Sequence, residues 1–107
     1  MSKTLAAVRT LVAAGKVRIS EHGYDEMADD RILVREVLDG TPGAAVVEDY
    51  PEYGRGPSVL VLQFDGHGNP MHVVWGIPKG HTEPAVLVTA YRPDPSRWSE
   101  DYLERRR

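Results

Sequence analysis

The spacing of the apolar residues changes once along the chain, at Pro42, and this change constrains the fold most strongly. Before Pro42 the apolar residues recur every three or four positions, as in amphipathic helices. After it, four runs rich in valine, leucine and aromatic residues are separated by loops rich in glycine and proline. Helices followed by strands predict an α+β fold in which the helices cover one face of a sheet.

The first and third predicted helices are defined by apolar faces and stop signals. The first covers residues 3–14, because Gly15 suits the left-handed residue that ends a helix. Its apolar face consists of Leu5, Val8, Leu11 and Val12. The third helix is short, and Gly40 and Pro42 end it. Its apolar face consists of Val34, Val37 and Leu38.

The second predicted helix carries a histidine in its opening turn. Ser20 is the expected N-cap, because its hydroxyl can accept a hydrogen bond from a first-turn amide. The face assigned to the core consists of Tyr24, Met27 and Ala28. His22 lies about 160° from Tyr24 around the helix axis, on the side of Asp25, Glu26 and Asp29. We therefore expect His22 to be either a surface residue or an active-site residue.

The four extended runs predict strands at residues 44–50, 58–65, 71–77 and 85–91. Their connections are short, which favours an antiparallel meander, because parallel strands need longer crossovers. After the last strand, the sequence WSEDYLERRR predicts a short C-terminal helix. Trp98 and Tyr102 would share one side of that helix and dock it on the body of the protein.

Alternation along the strands predicts which residues face the helices. We assign one parity to the core: Leu60, Leu62, Phe64, Met71, Val73, Trp75, Ile77, Val86, Val88 and Ala90. The opposite parity consists of Val59, Val61, Gln63, His72, Val74, Gly76, Ala85, Leu87, Thr89 and Tyr91. Because reactive groups collect in the second set, we expect a functional site on the face opposite the helices.

Composition limits the classes of protein to which the chain can belong. Its 107 residues fit a single domain, residues 1–107, and it contains no cysteine, which excludes disulfides, thiolate nucleophiles and cysteine-bound zinc. The N-terminus is interrupted by Lys3 and Arg9, so we expect neither a signal peptide nor a membrane span, and a cytoplasmic location. The net charge of −3 does not provide the general basic bias typical of nucleic-acid binders.

Motifs for cofactors and metals are missing from the sequence. It contains no GxxxxGK, GxGxxG or GxSxG motif, and we therefore expect no nucleotide cofactor and no hydrolase of the nucleophile-elbow type. The four histidines show neither HxH nor HExxH spacing, and we expect no metal site.

The remaining reactive residues suit metal-independent RNA cleavage. Histidines can act as general acid and base near neutral pH, and a basic side chain can stabilise charge that develops on a phosphate. The predicted catalytic residues are His22, His72 and Tyr91. The predicted substrate-binding residues are Arg92, Thr89 and Lys79. Each has a structural alternative: a half-exposed strand position for His72, ring packing for Tyr91 and a solvated strand end for Arg92.

Short motifs in order along the chain resemble a family of small bacterial proteins, domain of unknown function 4258. The similarity covers residues 17–99 and rests on Ser20, His22, Met27, Ile32, Val37, the strand MHVV with His72, the segment VTAYRPD and Trp98. It implies the architecture of RelE-like toxins and of the barnase, colicin and RelE-like ribonucleases. It also implies RNA endonuclease activity, with His22, His72 and Tyr91 at positions matching the family pattern.

The resemblance also implies partners, which would be RNA or the ribosome and a cognate antitoxin. The chain departs from the family pattern at Glu26 and Asp30, where the pattern carries arginines. Acids on the helix that bears His22 oppose phosphate binding nearby. Two alternatives to the ribonuclease therefore stay open: a non-catalytic protein-interaction module that uses the same sheet face and the acidic helices, and a small-ligand pocket on the open face.

Overall fold

The computed structural model describes residues 2–106, which form helices packed on a mixed sheet. Met1 and Arg107, which the predicted single domain and C-terminal helix include, lie outside this range. The helices are α1 (Lys3–Ala13), α2 (Glu21–Asp29) and α3 (Val34–Gly40). The strands are β1 (Val17–Ile19), β2 (Ala45–Tyr50), β3 (Ser58–Phe64), β4 (Pro70–Gly76) and β5 (Ala85–Tyr91).

The sheet has five strands in the order β1-β5-β4-β3-β2. Strands β2 to β5 form the predicted antiparallel meander. The predicted four-stranded, purely antiparallel sheet was wrong, because β1 adds a fifth strand that pairs parallel with β5, Val17 opposite Ala85 and Ile19 opposite Leu87. A three-residue strand is too short for its alternation to be recognised in a sequence.

The predicted C-terminal helix was also wrong. Among residues 92–106, which we call the C-terminal segment, the structure has turns and a single bridge between Trp98 and Arg105. Short polar side chains hold these turns, because the Ser99 hydroxyl accepts from the amide of Glu104 and the Asp101 carboxylate accepts from that of Leu103. Such local bonds offer the backbone an alternative to a helix.

Helix α2 begins as predicted but faces the core differently. The Ser20 hydroxyl accepts from the Gly23 amide at 2.9 Å and donates to the Val88 carbonyl at 2.7 Å. Tyr24 and Ala28, both predicted to face the core, are exposed, Tyr24 by 53%, whereas Gly23 and Met27 are buried. The reason is that α2 approaches the backbone of β5 closely at Gly23. A Cβ on Gly23 would lie 2.8 Å from the Val88 carbonyl oxygen, so the glycine side of the helix lies against β5.

The predicted core face was wrong for β3 and, except at Ala90, wrong for β5. Val59 lies opposite Trp75 and Val61 opposite Val73, so this parity of β3 shares a face with the core residues of β4. The residues of β3 that face the core are Val59, Val61 and Gln63. In β5 a bulge places Thr89 opposite Val74 but Leu87 opposite Trp75. Leu87 and Ala90 therefore both enter the core although they are three residues apart.

The helices pack on one face of the sheet, as predicted. Their core residues are Leu5, Val8, Leu11, Met27 and Val37, and Ile32 of the loop between α2 and α3 joins them. Gln63 is fully buried in this core, and its amide joins the two layers: it donates to the Val37 carbonyl at 2.7 Å and accepts from the Trp75 indole at 3.2 Å. The opposite face, which we call the second face, carries Leu60, Leu62, His72, Val74, Gly76, Thr89 and Tyr91.

Candidate functional site

His72 and Tyr91 form a pair on the second face. They lie opposite each other on the neighbouring strands β4 and β5, so their side chains leave the sheet on the same side. The Tyr91 hydroxyl oxygen is 3.3 Å from His72 Nδ1, and the ring centroids are 5.4 Å apart in an edge-on arrangement. We call this pair, with Thr89 beside it, the Tyr91 site.

The C-terminal segment covers His72 completely. The Trp98 ring packs edge-on against the imidazole with centroids 4.3 Å apart, and Trp98 is only 4% exposed. The Tyr102 carbonyl oxygen lies 2.8 Å from His72 Nε2. Because a carbonyl only accepts, Nε2 carries the proton, and Nδ1 is left to accept a hydrogen bond from the Tyr91 hydroxyl. Burial lowers the pKa of His72, although the Tyr102 carbonyl opposes this effect.

A clamp between Arg105 and Glu48 holds the C-terminal segment on the sheet. The Arg105 guanidinium donates to both Glu48 oxygens at 2.8 and 3.1 Å and also lies over the Trp98 ring, 4.8 Å from its centroid. The bond from Arg105 lowers the pKa of Glu48. The Tyr50 hydroxyl donates to the same carboxylate at 2.6 Å, and this bond raises the pKa of Tyr50.

The Tyr91 hydroxyl lies among charges from three elements. Burial is the main cause that raises its pKa, and the positive charge of Arg105 opposes the rise. The carboxylates of Glu48 and Glu26 both add to it. Glu26 belongs to α2, so this helix and the Tyr91 hydroxyl lie close enough to interact electrostatically.

His22 projects from α2, the helix that packs on β5. Its side chain is 71% exposed, and Nε2 contacts the Glu26 carboxylate one turn further along the helix. Helix α2 runs along β5, because hydrogen bonds join both of its ends to this part of the chain. The Ser20 hydroxyl donates to the Val88 carbonyl, and the Arg92 amide donates to the Asp30 carboxylate at 2.7 Å. Among the hydrogen bonds of residues 2–106, none joins His22 directly to His72 or Tyr91.

The three residues predicted to bind substrate occupy different places. Arg92 supports the fold, because its guanidinium bonds the buried Asp65 carboxylate at 3.0 Å and the Pro70 carbonyl at 3.2 Å. Thr89 lies on the second face, and its hydroxyl is buried without a hydrogen-bond partner in the described part of the chain. Lys79 is exposed in the turn between β4 and β5 and lies outside the Tyr91 site.

The structure thus brings His72, Tyr91 and Thr89 together and places His22 on the flanking helix. Sequence reasoning anticipated that Trp98 docks the tail but missed Glu48 and Arg105, which are 57 residues apart and gave no local signal. Between residues 2 and 106, the histidine and acidic side chains form no group of three that could hold a metal ion. No helix in the same range is long and apolar enough to cross a membrane.

Comparison with known proteins identifies the family. Residues 19–92 match the model of the family described as Domain of unknown function (DUF4258). This match includes α2, α3 and the strands β2 to β5, and it ends just after Tyr91. No curated protein and no solved structure matches the chain. The protein belongs to the DUF4258 family.

Proposed function

We propose that this member of the DUF4258 family is a metal-independent RNA endonuclease of the RelE-like type, with the Tyr91 site as its catalytic centre. The observation that carries the proposal is the hydrogen-bonded pair of His72 and Tyr91. The bond from His72 Nε2 to the Tyr102 carbonyl fixes the tautomer, so that Nδ1 can receive the Tyr91 proton. The Tyr91 oxygen keeps lone pairs that can accept a proton from substrate.

The reaction in this proposal is attack of the RNA 2′-hydroxyl on the adjacent phosphate. Its proton passes to the Tyr91 oxygen while Tyr91 passes its own proton to His72 Nδ1. His22, oriented by Glu26, acts as the general acid and donates a proton to the 5′-oxygen as the P–O bond breaks. The products are a 2′,3′-cyclic phosphate and a free 5′-hydroxyl.

The family resemblance supports the same proposal and suggests partners. RNA would be the substrate, either free or on the ribosome, and a cognate antitoxin would be the protein partner. Arg92 has no role in substrate binding in this scheme, because Asp65 already holds its guanidinium. Thr89 lies beside Tyr91, but its hydroxyl is buried and therefore makes no contact with substrate in this scheme.

Induced expression in cells tests the proposal without a choice of substrate in advance. We expect the intact chain to degrade RNA and to arrest growth, and His22→Ala and Tyr91→Phe each to reduce cleavage about 100-fold. Tyr91→Phe removes only the hydroxyl and keeps the ring. His81→Ala is the matched control, because His81 is an exposed histidine in the turn after β4, and it should cleave like the intact chain.

The opposite outcome is that RNA stays intact in cells in which the folded intact chain accumulates to the same abundance as the His81→Ala control. That result would contradict the ribonuclease. Cleavage by the intact chain that both site variants retain would place the chemistry outside the Tyr91 site.

A second candidate function is a non-catalytic module that binds a basic protein. Two observations favour it: His72 is fully buried with both ring nitrogens bonded, and α2 exposes Glu21, Asp25 and Asp29 to solvent. An exposed acidic helix attracts a positively charged surface. In that case RNA stays intact. The double variant Asp25→Lys and Asp29→Lys should no longer bind a purified partner protein that the intact chain binds.

A further inference from the structure

The C-terminal segment covers only part of the second face, and the open part forms a groove of about 420 Å³. Its floor consists of Val74, Gly76, Val86 and Val88, which are half-exposed. Arg18 of β1 lies on one side, since it pairs with Val86 of β5, and the loop before β3 contributes Tyr53 and Arg55 on the other. No residue of the C-terminal segment lines the groove.

Two arginines contribute positive charge to this groove. Within residues 2–106 neither Arg18 nor Arg55 has an ion-pair or hydrogen-bond partner for its guanidinium. By contrast, the guanidiniums of Arg92 and Arg105 are bound by Asp65 and Glu48. In a chain of net charge −3, two such guanidiniums on one concave surface favour an anionic ligand.

The rest of the groove is apolar. Besides the three valines it is lined by Pro57, Ile77 and Pro78, and Ser58 adds a hydroxyl beside Gly76. An aliphatic floor with few polar groups at its edge is the usual composition of a small-molecule site, and the volume lies in the range of such sites. Nucleobases instead stack on aromatic faces, and Tyr53 is the single aromatic residue among residues 2–106 that lines this groove.

We propose that this groove binds a small organic acid, whose carboxylate is attracted by the guanidiniums of Arg18 and Arg55 on its two sides and whose aliphatic body lies on the valine floor. The site is separate from the Tyr91 site and does not depend on the proposed cleavage of RNA. The guanidinium fork matches the two oxygens of a carboxylate, and the floor takes the apolar chain out of water.

Gly76 provides the space at the centre of the floor. A Cβ at this position would lie 3.6 Å from the Pro57 carbonyl oxygen and 3.6 Å from Val88 Cγ2, which are ordinary contacts. A Cβ can therefore be added at this position without moving the backbone. The variant Gly76→Leu should keep the fold, because a strand tolerates leucine better than glycine, and should fill the groove.

Titration of the ¹⁵N-labelled full chain with octanoate, followed by NMR, tests the proposal. We expect saturable shifts of the Val74, Gly76, Val86 and Val88 amides, with a dissociation constant of about 1 mM or below. Arg18→Ala and Arg55→Ala should each weaken binding about tenfold, and Gly76→Leu should abolish it. Arg35→Ala, which removes an exposed arginine from α3, is the matched control and should bind like the intact chain.

Three results would overturn the proposal. The first is the absence of saturable shifts at these amides, in a protein whose spectrum shows it to be folded. The second is equal binding of octan-1-ol or of inorganic phosphate, because then either the charge or the apolar body is not recognised. The third is displacement of octanoate by a short oligouridylate that binds the same amides more tightly, which would assign the groove to nucleic acid.

Discussion

Replacing Trp98 by alanine is expected to lower the free energy of unfolding by about 3 to 5 kcal/mol. Trp98 is buried, and its ring packs against His72 and under the Arg105 guanidinium. The loss of the indole therefore leaves a cavity beside the imidazole. A protein of this size has few kcal/mol to lose, and the variant should be marginally stable.

Urea unfolding of the intact chain and of Trp98→Ala measures this loss. The control Arg105→Ala removes the clamp but keeps the indole, and its cost should be about 1 kcal/mol or less because the Arg105 side chain is largely exposed. NMR titration gives a second readout: Trp98→Ala exposes His72, so the pKa of His72 should rise toward its ordinary value of 6.5. A loss below 1 kcal/mol with no change in this pKa would contradict the packing of Trp98 on His72.

Gly23→Val is expected to lower the free energy of unfolding by about 3 kcal/mol. Even a Cβ at this position would lie 2.8 Å from the Val88 carbonyl oxygen and 3.1 Å from the Ser20 hydroxyl oxygen. The first of these atoms is backbone and cannot rotate away. Helix α2 must therefore move away from β5, and the bonds of the Ser20 cap must lengthen or break.

Ala28→Val separates this clash from the intrinsic cost of a β-branched residue. Ala28 lies on the exposed side of the same helix, so this control should cost about 0.5 kcal/mol in the same urea measurement. Similar losses for the two variants would contradict the close contact of Gly23 with β5. In an RNA assay Gly23→Val should also lose activity, because the displaced helix carries His22 and Glu26.

The sequence predicted where most elements lie but not how the strands pair. The Ser20 cap and the meander from β2 to β5 follow from local signals, which a short window of residues contains. The core face of β3 cannot be predicted from local signals, because residues 59–63 are all buried and the residues of both parities are mostly apolar. The polarity of Gln63 led to its assignment to the second face. Its amide is instead satisfied inside the core by hydrogen bonds to Val37 and Trp75.

The site was predictable to the extent that it depends on neighbouring strands. His72 and Tyr91 share a face because alternation in β4 and the last part of β5 is regular, and the bulge lies before Thr89. The cover over His72 was not predictable, since it depends on the Tyr102 carbonyl and on the contact between Arg105 and Glu48. Such contacts join residues far apart in the chain and have no periodic signature.

The most direct measurement of the central claim is the chemistry of the ends that the purified full chain leaves on a labelled RNA in the presence of EDTA. We expect cleavage to give a 2′,3′-cyclic phosphate and a 5′-hydroxyl. A single 2′-deoxy substitution at the cut position should block it, because the 2′-hydroxyl is the nucleophile of the proposed reaction. Cleavage that leaves a 5′-phosphate, or that continues at the deoxy position, would contradict the roles of His22, His72 and Tyr91. No cleavage at all by the folded chain would contradict the ribonuclease itself.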